Sequence, residues 1–253
     1  MGPENGCWNQ HVLRRFIPAM QVYIGTAGWA IPSRHADAFP GAGTHLTRYA
    51  RSLNAVEINS SFYRSHQRKT YERWAASVPR DFRFSVKLPR QITHDLRLKS
   101  FKEPFDRFAE EISGLGDKLA VVLVQLPPSL AYDATDAEAL FQALGRETQA
   151  MIACEPRHDS WFTPCADSAL QRLHVARVAA DPPRAAEDGE PGGWQGLHYW
   201  RLHGSPKIYY SEYSPRALVT LATRLQPSDW CIFDNTAAFA ALANAQELKT
   251  LTV

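Results

Sequence analysis

The chain has 253 residues, of which 45% are hydrophobic and 21% charged, and 28 Lys and Arg stand against 26 Asp and Glu. This balance excludes a disordered tail, a collagen and a polybasic arm, and it indicates a globular protein. The longest apolar runs, such as residues 119–124, are too short to cross a bilayer, and the first twenty residues lack the apolar segment of a signal peptide. We therefore expect a cytoplasmic protein without a membrane partner.

The cysteines and the charge distribution further limit the classes of protein that this sequence fits. Cys7, Cys154, Cys165 and Cys231 show neither paired spacing nor a C-x-x-C motif, which favours reduced thiols over a disulfide framework or a zinc knuckle. Residues 64–102 hold eleven Lys or Arg against three Asp or Glu, while the rest of the chain is net acidic. This asymmetry suggests an anionic ligand, although a solvated helix face would explain it equally well.

Eight short runs rich in β-forming residues recur along the chain. They are residues 22–27, 56–60, 83–88, 120–126, 151–155, 176–181, 197–203 and 230–234. Most are separated by segments with apolar residues three and four apart, as in helices packed against a sheet: 46–53, 70–78, 101–112 and 137–144. Alternating strands and helices favour an α/β fold with parallel strands, and eight such units match a (β/α)8 TIM barrel. A doubly wound open sheet is the alternative.

Two segments depart from this repeat. Residues 182–196 contain three prolines and four glycines, so we expect an irregular loop in place of a regular sixth helix. Residues 1–20 precede the first strand and fit no unit, and Met20 lies just before that strand. We predict an N-terminal extension at 1–20, partly upstream of the natural start, and a single barrel domain at 21–253.

Polar residues lie late in the predicted strands. Because side chains alternate along a strand, residues two apart share a face. The late polar residues are Glu57 and Asn59, Ser85 and Lys87, Gln125, Glu155 and Arg157, Asp181, Arg201 and His203, and Asp234. Burying an unpaired charge costs several kcal/mol, and in a barrel all of these strand ends converge on the rim where barrel enzymes do their chemistry. We therefore predict a polar pocket there, with a ring of ion pairs that only closes the barrel as the alternative.

The predicted chemistry is general acid/base catalysis on a small anionic substrate, phosphorylated or sugar-like. Glu155 is the candidate base and His203 the proton shuttle, while Lys87, Arg157 and Arg201 clamp the anion. Further predicted site residues are Glu57 and Asp181 as catalytic carboxylates and Asn59, Tyr63, His94, Gln125, His158 and Asn235 as substrate contacts. Whether the protein is a hydrolase, a lyase, an isomerase or no enzyme at all stays open at this point.

Two other functions stay open. Glu57, Glu155, Asp181 and His203 have the side-chain types of a divalent-metal site, which would make the protein a metal-dependent hydrolase or isomerase. No local ligand motif supports that site and nearby cations oppose it, so we expect no cofactor. Aromatic residues interleaved with arginines keep a non-catalytic nucleic-acid-binding module as a further alternative.

Seven sequence blocks carry a family resemblance. They are IGTAGW (24–29), VEINSSFY (56–63), FSVKLPRQITH (84–94), LVQLPPS (123–129), EPRHDSW (155–161), YWRLHG (199–204) and FDNT (233–236). In this order they resemble the YecE-like family, also called domain of unknown function 72. The resemblance implies a TIM-barrel fold and brings no assigned activity.

The resemblance emphasises particular positions of this chain. The matching polar positions are Glu57, Asn59, Lys87, His94, Gln125, Glu155, Arg157, His158, Arg201, His203 and Asn235. Where many members resemble F-N-N, this chain has Asp234, which adds a carboxylate. The aromatic pair associated with the family after Trp29 is missing, with Ile31 and His35 nearby, so we expect that wall of the pocket to differ.

Overall fold

The computed structural model describes residues 21–183 and 189–252. The strands are β1 (Tyr23–Thr26), β2 (Ala55–Ile58), β3 (Arg83–Lys87), β4 (Leu119–Gln125), β5 (Met151–Glu155), β6 (Val175–Arg177), β7 (Ala179–Asp181), β8 (Gly192–Gly193), β9 (Tyr199–Leu202) and β10 (Trp230–Phe233). The α-helices are α1 (His45–Ser52), α2 (Arg68–Ala76), α3 (Lys102–Ile112), α4 (Ala134–Glu147), α5 (Pro164–Arg172), α6 (Pro215–Ala222) and α7 (Ala240–Leu251). Every predicted strand and helix has a counterpart here.

The strands form two sheets, with the order β1-β10-β9-β7 in one and β2-β3-β4-β5-β6-β8 in the other. All neighbouring strands are parallel except the two-residue β8, which runs antiparallel to β6. The predicted α/β class with parallel strands is confirmed. The hydrogen bonds divide the strands between two sheets, whereas the sequence predicted one closed barrel.

The two sheets approach each other at both of their ends. An isolated parallel bridge joins Ala27, just after β1, to Glu57 on β2. At the other end, β6 and β7 are separated in the chain only by Val178, whose backbone N–H donates to Cys154 O at 2.8 Å. One run of chain therefore leaves the second sheet and enters the first without a turn.

Two hydrophobic clusters lie on opposite faces of the strands. The larger cluster packs the outer faces against the helices and includes Trp200 and Leu202 of β9. The smaller cluster contains residues of both sheets, among them Tyr199, Trp230 and Ala153. Strand alternation explains this division, because successive residues of β9 belong in turn to the inner and outer clusters. We call the face of the smaller cluster the inner face.

Stacked rings fill the inner face towards the start of the strands. The Trp230 ring stacks on Tyr23 with the centroids 5.0 Å apart, and on Tyr199 at 5.9 Å. Such large buried rings contribute much of the apolar area that stabilises a core. They fill the inner face below the polar residues that follow at the strand ends.

Local signals set the helix boundaries. Thr163 and Ser214 cap α5 and α6 by accepting backbone N–H bonds with their hydroxyls, and a proline follows each cap at the first helical position. In α3, Phe105, Phe108 and Ile112 are buried at helical spacing. Each helix in the described residues is too short or too polar to span a lipid bilayer.

The segment between β7 and β9 departs from the repeat of strand and helix, as predicted. Its described residues, 182–183 and 189–198, contain β8 and no helix. Residues 184–188 of the predicted loop, the whole predicted extension 1–20 and Val253 lie outside the described residues.

Gly25 tests how closely the two sheets approach. A Cβ atom at Gly25 would lie 2.2 Å from Ala55 O of the other sheet, so Gly25→Ala forces the strands apart. We expect it to lower the free energy of unfolding by about 2 kcal/mol, as overpacking of a core does, in urea denaturation followed by circular dichroism. As a control, Gly116 has φ 52° and open space around an added Cβ, so Gly116→Ala should cost about 1 kcal/mol from backbone strain alone. A Gly25→Ala protein as stable as the wild type would contradict this packing.

Candidate active site

Arg201 on β9 binds three buried carboxylates at once. Its Nε and Nη2 donate to Oε2 and Oε1 of Glu57 at 3.0 and 2.9 Å, and its Nη1 donates to Oε2 of Glu155 at 2.9 Å. Its Nη2 also lies 3.0 Å from Oδ2 of Asp234. Glu57 and Glu155 belong to one sheet and Arg201 to the other, so these ion pairs tie the two sheets together.

His203 and Arg157 complete the set of contacts. His203 Nδ1 lies 3.0 Å from Asp234 Oδ2, and its Nε2 lies 3.2 Å from Glu155 Oε1. Arg157 donates from Nε and Nη2 to that same Glu155 oxygen at 3.0 and 2.8 Å. Both Glu155 oxygens are therefore bound. We call these residues the ionic cluster: Glu57, Glu155, Arg157, Arg201, His203 and Asp234.

The strand pattern explains why these side chains meet. Glu155 is the last residue of β5, Asp234 follows β10 directly, and Arg201 shares the inner face of β9 with Tyr199 two residues earlier. The Tyr199 hydroxyl donates to Glu57 Oε2 at 3.0 Å and lies 3.0 Å from the Ser85 hydroxyl. The cluster thus rests on a polar layer that continues into the aromatic inner core.

Mutual pairing sets the ionisation of the cluster. Burial would raise the pKa of Glu155 and of Asp234, but the adjacent Arg201 and His203 outweigh burial and lower both pKa values. Burial would lower the pKa of His203, but Glu155 and Asp234 raise it. A carboxylate with a low pKa is a weak base, and both oxygens of Glu155 are engaged. The geometry therefore argues against Glu155 as the general base and against His203 as a free proton shuttle.

Arg201 also differs from its predicted role as an anion clamp. Its side chain is 1% exposed, and burial would lower its pKa, but Asp234, Glu57 and Glu155 raise that pKa well above the usual value. A substrate anion could reach it only by displacing a carboxylate. Arg157 is the more accessible cation, with a side chain that is 10% exposed.

Lys87, the last residue of β3, carries a buried charge that no carboxylate neutralises directly. The residue is 4% exposed, and its Nζ lies 4.0 Å from the centre of the Phe62 ring. Within residues 21–183 and 189–252, Nζ has no hydrogen-bond or salt-bridge partner. Burial, together with the positive charge of Arg201, lowers the pKa of Lys87 to about 8. A substantial fraction of this amine is therefore uncharged at mildly alkaline pH.

His94 lies near Lys87 and Arg157, whose charges act on its ring, and Gln125 belongs to β4, the strand between β3 and β5. His94 belongs to a π-helical turn (Gln91–Asp95), and its ring meets the edge of Phe62 at 5.1 Å. Burial and the charges of Lys87, Arg90 and Arg157 lower the pKa of His94 to about 4, so its ring is neutral at pH 7. Gln125 ends β4 directly opposite Glu155 and is 6% exposed. We call Lys87, His94, Gln125 and Arg157 the rim.

Asp181 does not join the other predicted carboxylates. In the register of β7 and β9 it lies opposite Leu202 of the outer core, whereas Ala180 lies opposite Arg201. Alternation explains this, since Ala176 and Val178 both belong to the inner cluster and an odd-numbered residue then faces outwards. Asp181 therefore lies apart from the ionic cluster, and its catalytic role stays a prediction.

Two predicted substrate contacts have structural partners instead. His158 Nδ1 accepts a bond from Ser160 N at 3.2 Å and caps the short helical turn that follows. Asn235 Nδ2 donates to Ser211 O at 2.9 Å and to Asn244 Oδ1 at 3.0 Å, which fixes the loop after β10. Asn59 and Tyr63 line a separate cavity of about 500 Å³ that the cluster residues do not line.

The sequence analysis gave no site role to three residues of this region. Asp234 and Tyr199 contact the predicted site residues Arg201 and Glu57 directly, and Ser85 contacts Tyr199. The signal was present in each case, because Asp234 ends a predicted strand and alternation places Tyr199 with Arg201 and Ser85 with Lys87. The contacts across sheets, however, join residues more than one hundred positions apart, which periodicity does not reveal.

These contacts give little support to the two other predicted functions, a metal-dependent enzyme and a nucleic-acid-binding module. In the described part of the chain, no group of three or more His, Cys, Asp or Glu side chains is arranged to hold a metal ion. Of the predicted metal ligands, Asp181 lies apart and the others are bound by Arg201 or by each other. Within residues 64–102, several basic residues form exposed ion pairs, namely Arg68 with Glu72, Arg90 with Asp95, Lys99 with Asp136 and Lys102 with Asp106.

Comparison with known proteins places this chain in a family. The family model described as "Protein of unknown function DUF72" matches residues 23–253. The chain belongs to this family. The UPF0759 protein YunF of Bacillus subtilis is 29% identical over 154 residues, which cover 56% of this DUF72 chain and 53% of YunF. The UPF0759 protein YecE of Escherichia coli K12 is 30% identical over 106 residues, which cover 42% of this chain and 38% of YecE. These matches span about half or less of the length of the curated relatives.

Solved structures of DUF72 proteins have the same fold. One from Enterococcus faecalis V583 has a TM-score of 0.77 and 19% identity, and covers 91% of this chain and 95% of its own. Another from Thermotoga maritima has a TM-score of 0.72 and 23% identity, and covers 91% of this chain and 98% of its own. At these identities the likeness concerns the fold alone.

Arg201 provides a stability test of the ionic cluster. Arg201→Met leaves buried carboxylates without their counter-charge, so we expect the free energy of unfolding to fall by about 3–5 kcal/mol in urea denaturation. Arg172→Ala is the matched control, because Arg172 pairs with Glu138 at 2.9 Å with a side chain that is 59% exposed, and such pairs contribute less than about 1 kcal/mol. Equal losses for the two variants would contradict the central role of Arg201.

Lys87 provides a second stability test, in which the substitution is expected to stabilise the fold and the effect depends on pH. Because its pKa is lowered from 10.5 to about 8 in the folded protein, the buried ammonium destabilises the fold at pH 7. Lys87→Met should therefore raise the free energy of unfolding at pH 7, by on the order of 2 kcal/mol. This advantage should shrink between pH 8 and pH 10.5, where the folded wild type releases the proton.

The matched control for this test is Lys207→Met. Lys207 also lies over an aromatic ring, with Nζ 4.2 Å from the centre of Tyr210, but it is exposed. We expect a change within about 0.5 kcal/mol at both pH values, as for most surface substitutions. The unpaired state of Lys87 is refuted if Lys87→Met is less stable than the wild type at pH 7.

Proposed function

We propose that this protein is an enzyme that binds a small carboxylate- or phosphate-bearing compound at the rim and transfers a proton with the Lys87 amine. The observation that carries the proposal is the unpaired, nearly buried Lys87 ammonium beside a fully paired ionic cluster. A group with a pKa near the working pH is suited to accept and return a proton. Burial of such a group without a partner is unfavourable, and functional sites are where this arrangement recurs.

The charges at the rim favour an anionic substrate. Lys87 lacks a direct counter-charge, and Arg157 is the most exposed cation of the cluster. A carboxylate or phosphate group near Arg157 can accept charge-assisted hydrogen bonds from its guanidinium. His94 and Gln125 add neutral polar groups that can orient the rest of the ligand.

The cluster residues then have a positioning role. Glu155 orients Arg157, and Arg201 fixes Glu155 through its other oxygen. The catalytic role that the sequence suggested for Glu155 passes to Lys87, since Lys87 has both a suitable pKa and a free amine.

The proposed proton transfer requires no cofactor. The cytoplasm is its proposed setting, in keeping with the free thiols of Cys154, Cys165 and Cys231.

We further propose that the two sheets together form an eight-stranded (β/α)8 barrel of the TIM type. The bridge between Ala27 and Glu57 and the continuity of β6 with β7 through Val178 support closure at both sheet edges. The inner cluster, which draws residues from both sheets, supports a common barrel interior. The rim then lies at the carboxyl ends of the strands, where barrel enzymes carry their active sites.

Amine reactivity tests the proposed site. With trace acetic anhydride and mass spectrometry, we expect the acetylation rate of Lys87 to rise with an apparent pKa near 8. Inorganic phosphate at millimolar concentration should slow the acetylation of Lys87 at least fivefold, because a bound anion stabilises the protonated amine and covers it. Arg157→Ala should abolish this protection.

Lys207 serves as the internal control in the same digest, since it lies over a ring but outside the rim. Its labelling should not respond to phosphate. The proposal fails if the acetylation rate of Lys87 does not rise with an apparent pKa near 8, or if neither inorganic phosphate nor acetate protects Lys87.

A further inference from the structure

The cavity of about 500 Å³ that Asn59 and Tyr63 line lies beside the carboxyl ends of β1, β2 and β10. The residues of interest in its wall are Trp29, Asn59, Tyr63, Arg64, Trp74 and Phe239. Among the described residues, neither Lys87 nor any member of the ionic cluster lines it. We call this cavity the aromatic cleft.

Two rings of the aromatic cleft are exposed to solvent. Tyr63 is 74% exposed and Phe239 is 42% exposed. Leaving apolar surface in water forgoes about 25 cal/mol per Å² of stabilisation. Phe239 also has φ 60°, a left-handed conformation that is unfavourable for a bulky side chain. The Phe239 ring is therefore kept at the cleft although both the hydrophobic effect and its backbone conformation disfavour this position.

Asn59 lines the cleft, and its side chain carries a buried acceptor. Its Oδ1 is shielded from solvent and has no hydrogen-bond partner in the described part of the chain. An unsatisfied buried acceptor costs roughly 1–3 kcal/mol, and most such groups in proteins are satisfied. A ligand with an N–H or O–H donor would satisfy it.

Arg64 contributes a positive charge. Its side chain is exposed, and its guanidinium forms no salt bridge with the described residues. Arg64 follows Tyr63 in the chain, and both residues line the cleft. This cation favours a ligand with an anionic group.

We propose that the aromatic cleft binds a nucleotide whose base stacks on the exposed rings. In this arrangement an amino group of the base donates to Asn59 Oδ1, and the phosphate pairs with Arg64. A planar base can stack on this wall, because Trp29, Tyr63, Trp74 and Phe239 line it. Stacking of a base on an aromatic side chain contributes about 1–3 kcal/mol, and the cavity is large enough for a single nucleotide.

Isothermal titration calorimetry with AMP tests this proposal. We expect wild-type protein to bind AMP, and N6,N6-dimethyl-AMP to bind at least tenfold more weakly because it lacks the amino donor for Asn59. This comparison uses only wild-type protein, so it holds even where an Asn59 variant fails to fold. Tyr63→Ala should weaken AMP binding at least tenfold. Arg64→Ala should weaken the binding of AMP more than the binding of adenosine.

Two control variants separate the cleft from other surfaces. Tyr210 is 49% exposed and lies outside the cleft, so Tyr210→Ala should leave AMP affinity within twofold of the wild type. Lys87→Met should leave the affinity for adenosine, which has no phosphate for the rim, within twofold of the wild type, since Lys87 lies outside the cleft. This result makes the cleft independent of the rim, so that either proposal can fail alone.

Three outcomes would overturn the proposal. They are the absence of AMP binding, tighter binding of glucose 6-phosphate than of AMP, and binding of a single-stranded oligonucleotide without binding of AMP. Equal affinity for AMP and its dimethyl analogue would also count against it, because Asn59 would then contribute nothing.

Discussion

The charge balance around Arg201 is the constraint on which the rest of the structure depends. A guanidinium that is 1% exposed is tolerable only where carboxylates surround it, and here Glu57, Glu155 and Asp234 do so. Their strands belong to both sheets, so the same ion pairs that neutralise Arg201 also set the distance between the sheets. His203 extends the network by joining two of these carboxylates. Removing one member leaves the others uncompensated, which makes the cluster a single cooperative unit.

This pairing divides the polar residues into two groups with different chemical capacities. Members of the ionic cluster have their hydrogen-bonding groups engaged, so they position their neighbours and have little capacity to accept a proton. Lys87 is different, because its charge is buried beside the cluster without a partner of its own. Two different causes set these pKa values: the cations Arg201 and His203 lower those of Glu155 and Asp234 against the effect of burial, whereas burial itself lowers that of Lys87.

The inner and outer faces of the strands explain both the successes and the failures of the sequence analysis. Strand positions and the alternation of strands with helices follow from local periodicity, and the structure confirms them. Alternation also places Arg201 with Tyr199, a pairing that was readable but overlooked. Asp181 was grouped with the other carboxylates because it ends a run, although its phase in the strand faces it outwards.

The sequence by itself determined the secondary structure, the parallel α/β class, the family and the concentration of charged residues at the strand ends, because each follows from local patterns of side chains. Tertiary structure decided which charges neutralise one another and which is left unpaired. Glu57 and Arg201 are 144 positions apart, and no periodicity indicates that they meet. Ionisation depends on burial and on the nearest charges, so the difference between Glu155 as a bound carboxylate and Lys87 as a free amine exists only once the chain has folded.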